Sequence, residues 1–463
     1  MTPTQLKALI DASIYENENR EITADVLNQV LTQMLEFSYK SVQRIIVIDP
    51  EMGNDTLAKD DARYSFQSAD AALQYFTAGT VVIFTKGNHY YKTGNWAVKG
   101  VSYFALPGAK VIVKGTGSPF EFGFGGQIVI KGFFEFYAKE GFENSVNEQF
   151  PIKVYNQTTE DAIVDIEFES ITAQFGCITV RGKVSKSTVK GKLLQGFVDN
   201  EGYKLYCDSG DHRFDFDNVL MHHDNTWAGT SGIYLTSPDA STEISVKGHV
   251  GLISMASQSS LIMHGFQTDY NGTGTYDYKR FDITIDRLYI DTATSCYGLY
   301  SRRFGGVAQY RIKTAKAIGT STIAAIDDGA YWNSKINLTI DESSGYSKSI
   351  QLNMNTNSNF RLKLNDSYQK TTFPKTMIGV TSNGTDYGTL RLSGRMRSTN
   401  GTACQIIGGI KLLEIDHLTA NVNASYSIDS EALQNAKILN VFTTNAPTNN
   451  INNTSVNSLI VTI

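Results

Sequence analysis

Phe281–Ile290 reads FDITIDRLYI. Phe281, Ile283 and Ile285 alternate with Asp282, Thr284 and Asp286, and the phase then slips by one residue before Leu288 and Ile290. Successive side chains of a strand point to opposite faces, so this alternation predicts a half-buried strand. The slip after Asp286 predicts a corner, where the chain bends while keeping the same face inward. The same period recurs at Val164, Ile166 and Phe168, at Ile336, Leu338 and Ile340, at Ile350, Leu352 and Met354, and at Phe360, Leu362 and Leu364.

Three all-β architectures compete for such a pattern. Sandwiches would divide the body into several domains, yet no linker-like stretch separates them. A propeller would show a repeat of about 40–50 residues with a motif, and none is visible. A β-helix tolerates irregular coils as long as each lays its inward residues on the last. The spacing therefore predicts an all-β chain built as a single-stranded right-handed parallel β-helix, a solenoid. With roughly 20–25 residues per coil and ~4.8 Å between strands, the body would be a rod of about 70–90 Å.

Composition narrows the function classes. Charged residues are 19% and the net charge is −5, which argues against a nucleic-acid binder, whose affinity rests on a basic stripe. Pro is scarce at 8 and Gly reaches 39, as suits many strands and tight turns. The cysteines Cys177, Cys207, Cys296 and Cys404 lie far apart without CxxC spacing, so they read as small buried hydrophobes. No metal or cofactor is expected. No apolar run reaches the ~20 residues of a membrane span, and MTPTQLKALIDASI, without a basic stretch and a long apolar run, is not expected to act as a signal peptide.

The first 44 residues break the β pattern. Thr2-Pro3-Thr4-Gln5 has a capping-box arrangement with Pro at the first helical position. Thr23 then caps a second helix, with Ile22 and Leu27 at the staple positions and Val26, Leu27, Val30, Leu31, Met34 and Leu35 as its apolar stripe. Helices this short need a partner surface. They either cap the following domain or serve attachment or oligomerisation. The favoured division is 1–44 as a helical attachment segment, 45–80 as lead-in and capping helix, 81–440 as β-helix body and 441–463 as an Asn/Thr-rich terminal segment.

Ser68–Gly115 reads SADAALQYFTAGTVVIFTKGNHYYKTGNWAVKGVSYFALPGAKVIVKG. It predicts a short helix over Ser68–Phe76, a strand over Val81–Phe84 and a turn at Gly87-Asn88. It resembles the opening of pectate-lyase-like right-handed β-helix proteins, with the strand and turn at Gly79–Tyr90 and a following coil at Gly108–Ile112. Asp49-Pro50 and Gly53-Asn54-Asp55-Thr56 are similar to the lead-in of that family. The resemblance implies architecture and carries over no catalytic residue. NENREITADVLNQVLTQMLEF, Asn17–Phe37, resembles the attachment segments of phage head and tail fibres, especially those of crAss-like phages of Bacteroides hosts.

Candidate chemistry is densest in CDSGDHRFDFDNVLMHHDNTW, Cys207–Trp227. Asp215 and Asp217 share a strand face, as a pair of acid/base carboxylates would. The plainer reading puts Phe214 and Phe216 inward and leaves the two carboxylates in solvent. His222-His223-Asp224 is a poor metal set, because adjacent strand residues face opposite ways. Asp327-Asp328 before Gly329 reads as a turn. Trp227, Tyr331 and Trp332 are candidates for stacking on sugar rings.

Together these readings lead to an expected function. The chain is expected to be a homotrimeric phage virion fibre, on head or tail, held to capsid or tail proteins by Ile22, Leu27, Val30, Leu31, Met34 and Leu35. It would be assembled in the host cytoplasm and bind host-surface polysaccharide, without nucleic acid or membrane insertion. The second reading is a tailspike-like polysaccharide depolymerase, a hydrolase or lyase. A cellular β-helix adhesin or carbohydrate-active enzyme comes third.

Overall fold

The computed structural model describes residues 44–463, apart from stretches such as 139–149, 224–230, 271–278 and 370–377, with side chains described as far as Arg395. The calls on Ile22–Leu35, Trp227, Tyr331 and Trp332 lie outside the described residues. The chain divides into two compact units, Met1–Leu193 and Leu194–Ile463. Both are almost wholly β, built from strands paired in parallel.

The first unit opens with β1 (Arg44–Ile48) and two short helices, α1 (Leu57–Asp60) and α2 (Ala69–Ala72). Ser68 caps α2 by accepting from the Ala71 N–H, and a 3-10 turn at Leu73–Tyr75 completes the predicted helix. Then follow β2 (Thr80–Phe84), β3 (Gly87–Tyr91), β4 (Ser102–Ala105), β5 (Ala109–Val113) and β6 (Phe120–Phe122). The unit ends with β7 (Gly126–Gly132), β8 (Glu135–Ala138), β9 (Ile152–Asn156), β10 (Ala162–Ala173), β11 (Ile178–Gly182) and β12 (Val184–Gly196), the last running through the boundary.

One local expectation changes. Gly87-Asn88 opens β3 instead of making a turn. Gly87 sits at φ 126, and a Cβ there would come within 2.6 Å of the Pro50 side chain. Glycine is needed for that entry into the strand, not for a reversal.

Two registers of short strands run side by side: β2 pairs with β4 and β4 with β7, while β3 pairs with β5 and β5 with β8. They then fuse. β10 pairs with β7 over Ala162–Ile166 and with β8 over Ser170–Ala173, so one long strand continues two short ones. The interior here is aromatic: Phe84, Tyr91, Trp96, Tyr103, Phe120 and Phe134 are almost completely buried. Trp96 Nε1–H donates to Asp70 Oδ1 at 2.7 Å, so the buried indole keeps a hydrogen bond.

The second unit alternates short and long strands. The long ones are β14 (Gly210–His223), β16 (Ile244–Ser257), β18 (Lys279–Thr292), β20 (Gly306–Gly319), β22 (Ser334–Gly345) and β24 (Asn359–Gln369). Between them lie β13 (Tyr203–Cys207), β15 (Ser231–Ser237), β17 (His264–Tyr270), β19 (Tyr297–Arg302), β21 (Thr322–Asp327) and β23 (Ile350–Met354). Each long strand pairs in parallel with the next long one, and each short strand with the next short one. The pattern carries on to the strand Leu459–Thr462. This stacking is consistent with a solenoid.

The predicted corner is present. Phe281, Ile283, Ile285, Leu288 and Ile290 are all buried, and the parallel register skips Asp286. The neighbouring strands skip the matching places, Asp217, Gly251, Lys313 and Asp341. The spacing is irregular, as expected, but some coils are longer than the roughly 20–25 residues expected. Asp215 meets His249 34 residues on, whereas Ser343 meets Ser367 24 residues on. The extra length lies in the connections, which leaves the strand rows in register and hides any fixed repeat.

Candidate functional site

Three tetrads follow one another on the short strands: Ser231-Gly232-Ile233-Tyr234, His264-Gly265-Phe266-Gln267 and Tyr297-Gly298-Leu299-Tyr300. Their first residues align across the sheet, as do the third and fourth, whereas the register skips the glycines. Each glycine marks a bend. A Cβ on Gly232 would lie 2.5 Å from the Gly265 carbonyl oxygen, and one on Gly265 would lie 2.7 Å from that of Gly298. Bare glycines thus let adjacent strands close up at the bend. Ile233, Phe266 and Leu299 go into the core.

The residues flanking the glycines gather beside the bend. The His264 ring lies nearly parallel to that of Tyr300 at 4.7 Å and to that of Tyr297 at 5.7 Å, and the two tyrosine rings are 5.1 Å apart. Ser231 Oγ–H donates to Gln267 Oε1 at 2.5 Å. Tyr234, Gln267 and Tyr300 form one row, with Lys204 on its other end 5.9 Å from the Tyr234 ring centre. All four are half-buried.

A second row adds carboxylates that are already partnered. Asp269 lies 3.7 Å from the Arg302 guanidinium, and Asp327 accepts from Asn353 Nδ2 at 2.8 Å. Lys204 pairs with Glu201 at 3.4 Å. Burial, with the Asp269 charge adding to it, pushes the Tyr234 hydroxyl up to about 12. Burial and then Arg302 push His264 down to about 4, so its ring is neutral at neutral pH. Burial also brings the Lys279 ammonium down to about 7, against the pull of Asp269. The arrangement offers flat rings, amides and paired carboxylates at partly desolvated positions. That combination suits a sugar, whose C–H faces pack on rings and whose hydroxyls hydrogen-bond to amides and carboxylates.

Asp215 and Asp217, the carboxylate pair singled out from sequence, lie on the long strand β14. Phe214 and Phe216 are buried while Asp215 and Asp217 are exposed. His249 Nδ1 lies 2.7 Å from Asp215 Oδ1, and His249 Nε2 lies 3.2 Å from Asp286 Oδ2. Lys313 Nζ is 2.6 Å from Asp286 Oδ1. Next to them Arg311 Nη2–H donates to Asp341 Oδ2 at 2.8 Å, and Asn365 Nδ2–H donates to Asp341 Oδ1 at 2.9 Å. Asp215 therefore sits in a ladder of cross-strand pairs rather than beside Asp217 alone.

His212 and His222, elsewhere on β14, make contacts of their own. His212 is buried with Nε2 3.0 Å from the Ser209 carbonyl oxygen, and His222 is exposed with Nε2 3.2 Å from Ser254 Oγ. Asp327 ends β21, and the rest of the turn expected at Asp327-Asp328 before Gly329 lies outside the described residues. Cys177, Cys207 and Cys296 are buried thiols outside any disulfide, and among the described residues no group of three His, Cys, Asp or Glu could hold a metal ion. The sequence reading passed over the tyrosine face because it sought carboxylate pairs and tryptophans. The signal that finds it is the repeated tetrad of any residue, Gly, an apolar residue and an aromatic or amide.

No family model, no curated protein and no solved structure matches this chain.

Proposed function

We propose that the chain is a structural fibre of a phage virion that adheres to host-surface glycans through the ring-lined bend on the short strands. In this reading the stacked strands close into a single-stranded right-handed parallel β-helix. Residues 1–44 attach the fibre to capsid or tail proteins, and three copies assemble. The observation that carries the adhesive part is the row of Tyr234, Gln267 and Tyr300 beside the His264 and Tyr297 rings. One such site is shallow, and avidity over many copies supplies useful affinity. The attachment part rests on the resemblance at Asn17–Phe37.

Two measurements test the reading. Light scattering after size exclusion should give a trimer for the full chain. A version lacking residues 1–40 should either dissociate or remain trimeric without binding to virions. Two stable monomers would overturn the fibre reading. A glycan panel read against the full chain and its Tyr300→Ala variant tests the site on its own, and equal binding by both would remove the site.

The second reading, a polysaccharide depolymerase, is favoured by the partly exposed row Asp215, His249 and Asp286, where an imidazole stands between two carboxylates. Release of new sugar ends by the full chain, lost in an Asp215→Asn variant that remains folded, would establish it.

A further inference from the structure

His249 is held in a way that fixes its protonation. Its two ring nitrogens lie 2.7 and 3.2 Å from oxygens of two different carboxylates, Asp215 and Asp286. An ionised carboxylate only accepts hydrogen bonds, and a neutral imidazole has one N–H and one lone pair. Both contacts can be hydrogen bonds only when the ring carries two protons. The three residues come from β14, β16 and β18, which are consecutive neighbours in the sheet.

We infer that His249 is a proton-dependent staple across three adjacent long strands, tying Asp215 to Asp286 as an imidazolium and releasing one of them when it loses a proton. The surroundings say which contact goes. Asp286 has a second cationic partner, since Lys313 Nζ lies 2.6 Å from its other oxygen. Asp215 is held by the shorter contact to the ring. The neutral ring therefore keeps its proton on Nδ1, facing Asp215, and leaves Asp286 to Lys313.

The other ionisable groups on the same outer face are placed by register. Arg213 and Asp217 flank Asp215 on β14, Lys247 precedes His249 on β16, Asp282 precedes and the exposed Arg287 follows Asp286 on β18, and Arg311 precedes Lys313 on β20. Burial works against the charged ring, but the hydrogen bonds and charges of Asp215 and Asp286 outweigh it and raise the His249 pKa above 6.5. A raised histidine pKa adds stability that is complete below the unfolded value of 6.5 and is lost as pH rises through the folded value. The device holds the strands together in mildly acidic surroundings and relaxes them in alkaline ones.

The test uses the full chain with 15N-labelled histidine, His249 being assigned by its loss in His249→Gln. The expected midpoint lies above 6.5, and the neutral form shows the Nδ1–H tautomer. Asp215→Asn should lower the midpoint. The difference in stability between the full chain and His249→Gln should shrink as pH rises through that midpoint. A midpoint at or below 6.5, an Nε2–H neutral form, or a stability difference that does not change with pH would each overturn the staple.

Discussion

The two outer faces of the second unit answer one physical problem differently. On the long strands, charged residues pair across the sheet with one another: Asp215 with His249, Asp286 with Lys313, and Arg311 with Asp341. They stay substantially in water. On the short strands, glycines thin the backbone at a bend, and half-buried rings and amides collect beside it. Charge is also drawn inward near them: Lys279, which opens the long strand β18 and feels the Asp269 charge on β17, is only 6% exposed. A face whose polar groups satisfy one another has little left for a ligand. A face with partly desolvated rings and amides is where binding gains most.

Lys279 gives the largest test of this contrast. Its ammonium is displaced from 10.5 to about 7, chiefly by burial. Between those values the unfolded chain binds more protons than the folded one, so stability rises with pH across that window. Lys279→Met should remove this rise and stabilise the protein at neutral pH by about 1–4 kcal/mol, as when a buried charge gives way to an apolar side chain. Denaturant unfolding at several pH values reads both effects. A destabilised variant would mean that Lys279 is held by contacts worth more than its burial costs.

The bend comes next. A Cβ on Gly265 would sit 2.7 Å from the Gly298 carbonyl oxygen and 3.0 Å from Ile253 Cγ2. Overpacking of this kind costs about 1–3 kcal/mol, so Gly265→Ala should lower the denaturant midpoint by that amount and weaken glycan binding too. Loss of stability without loss of binding would separate the bend from the site.

How much of this could be read from sequence depends on which physical signal each feature leaves. Inward rows such as Phe281, Ile283 and Ile285 were legible because burial imposes a period of two, and the corner at Asp286 because a bend must slip that period. The inward Phe214 and Phe216 and outward Asp215 and Asp217 followed from the same rule. Partners across strands were not legible. His249 lies 34 residues from Asp215, a distance set by the connecting segments and not by the strands. The tyrosine face stayed hidden for another reason: Gly232, Gly265 and Gly298 look like ordinary turn residues until their alignment is known.

Within the binding face, Tyr300 is the sharper probe, since its ring stacks with both His264 and Tyr297. Tyr300→Ala should weaken glycan binding about tenfold, which corresponds to about 1.4 kcal/mol. Asp217→Ala, on the other face, should leave binding unchanged in the same assay. Equal losses would erase the distinction between the faces.

The smallest effect belongs to the charge ladder. Arg311 reaches Asp341 through both Nη2 and Nε, at 2.8 and 3.1 Å, but its side chain is 57% exposed. An exposed pair gains little Coulomb energy in water and gives up side-chain freedom, so Arg311→Ala should cost about 0.2–1 kcal/mol, and less as salt is added. Asp341 keeps Asn365 as a donor in that variant, which limits the loss further. A cost of several kcal/mol, insensitive to salt, would mean that water is kept from this face. The long strands would then have to be counted as a covered surface, with a partner lying over the ladder, and the contrast with the tyrosine face would be one of occupancy rather than chemistry.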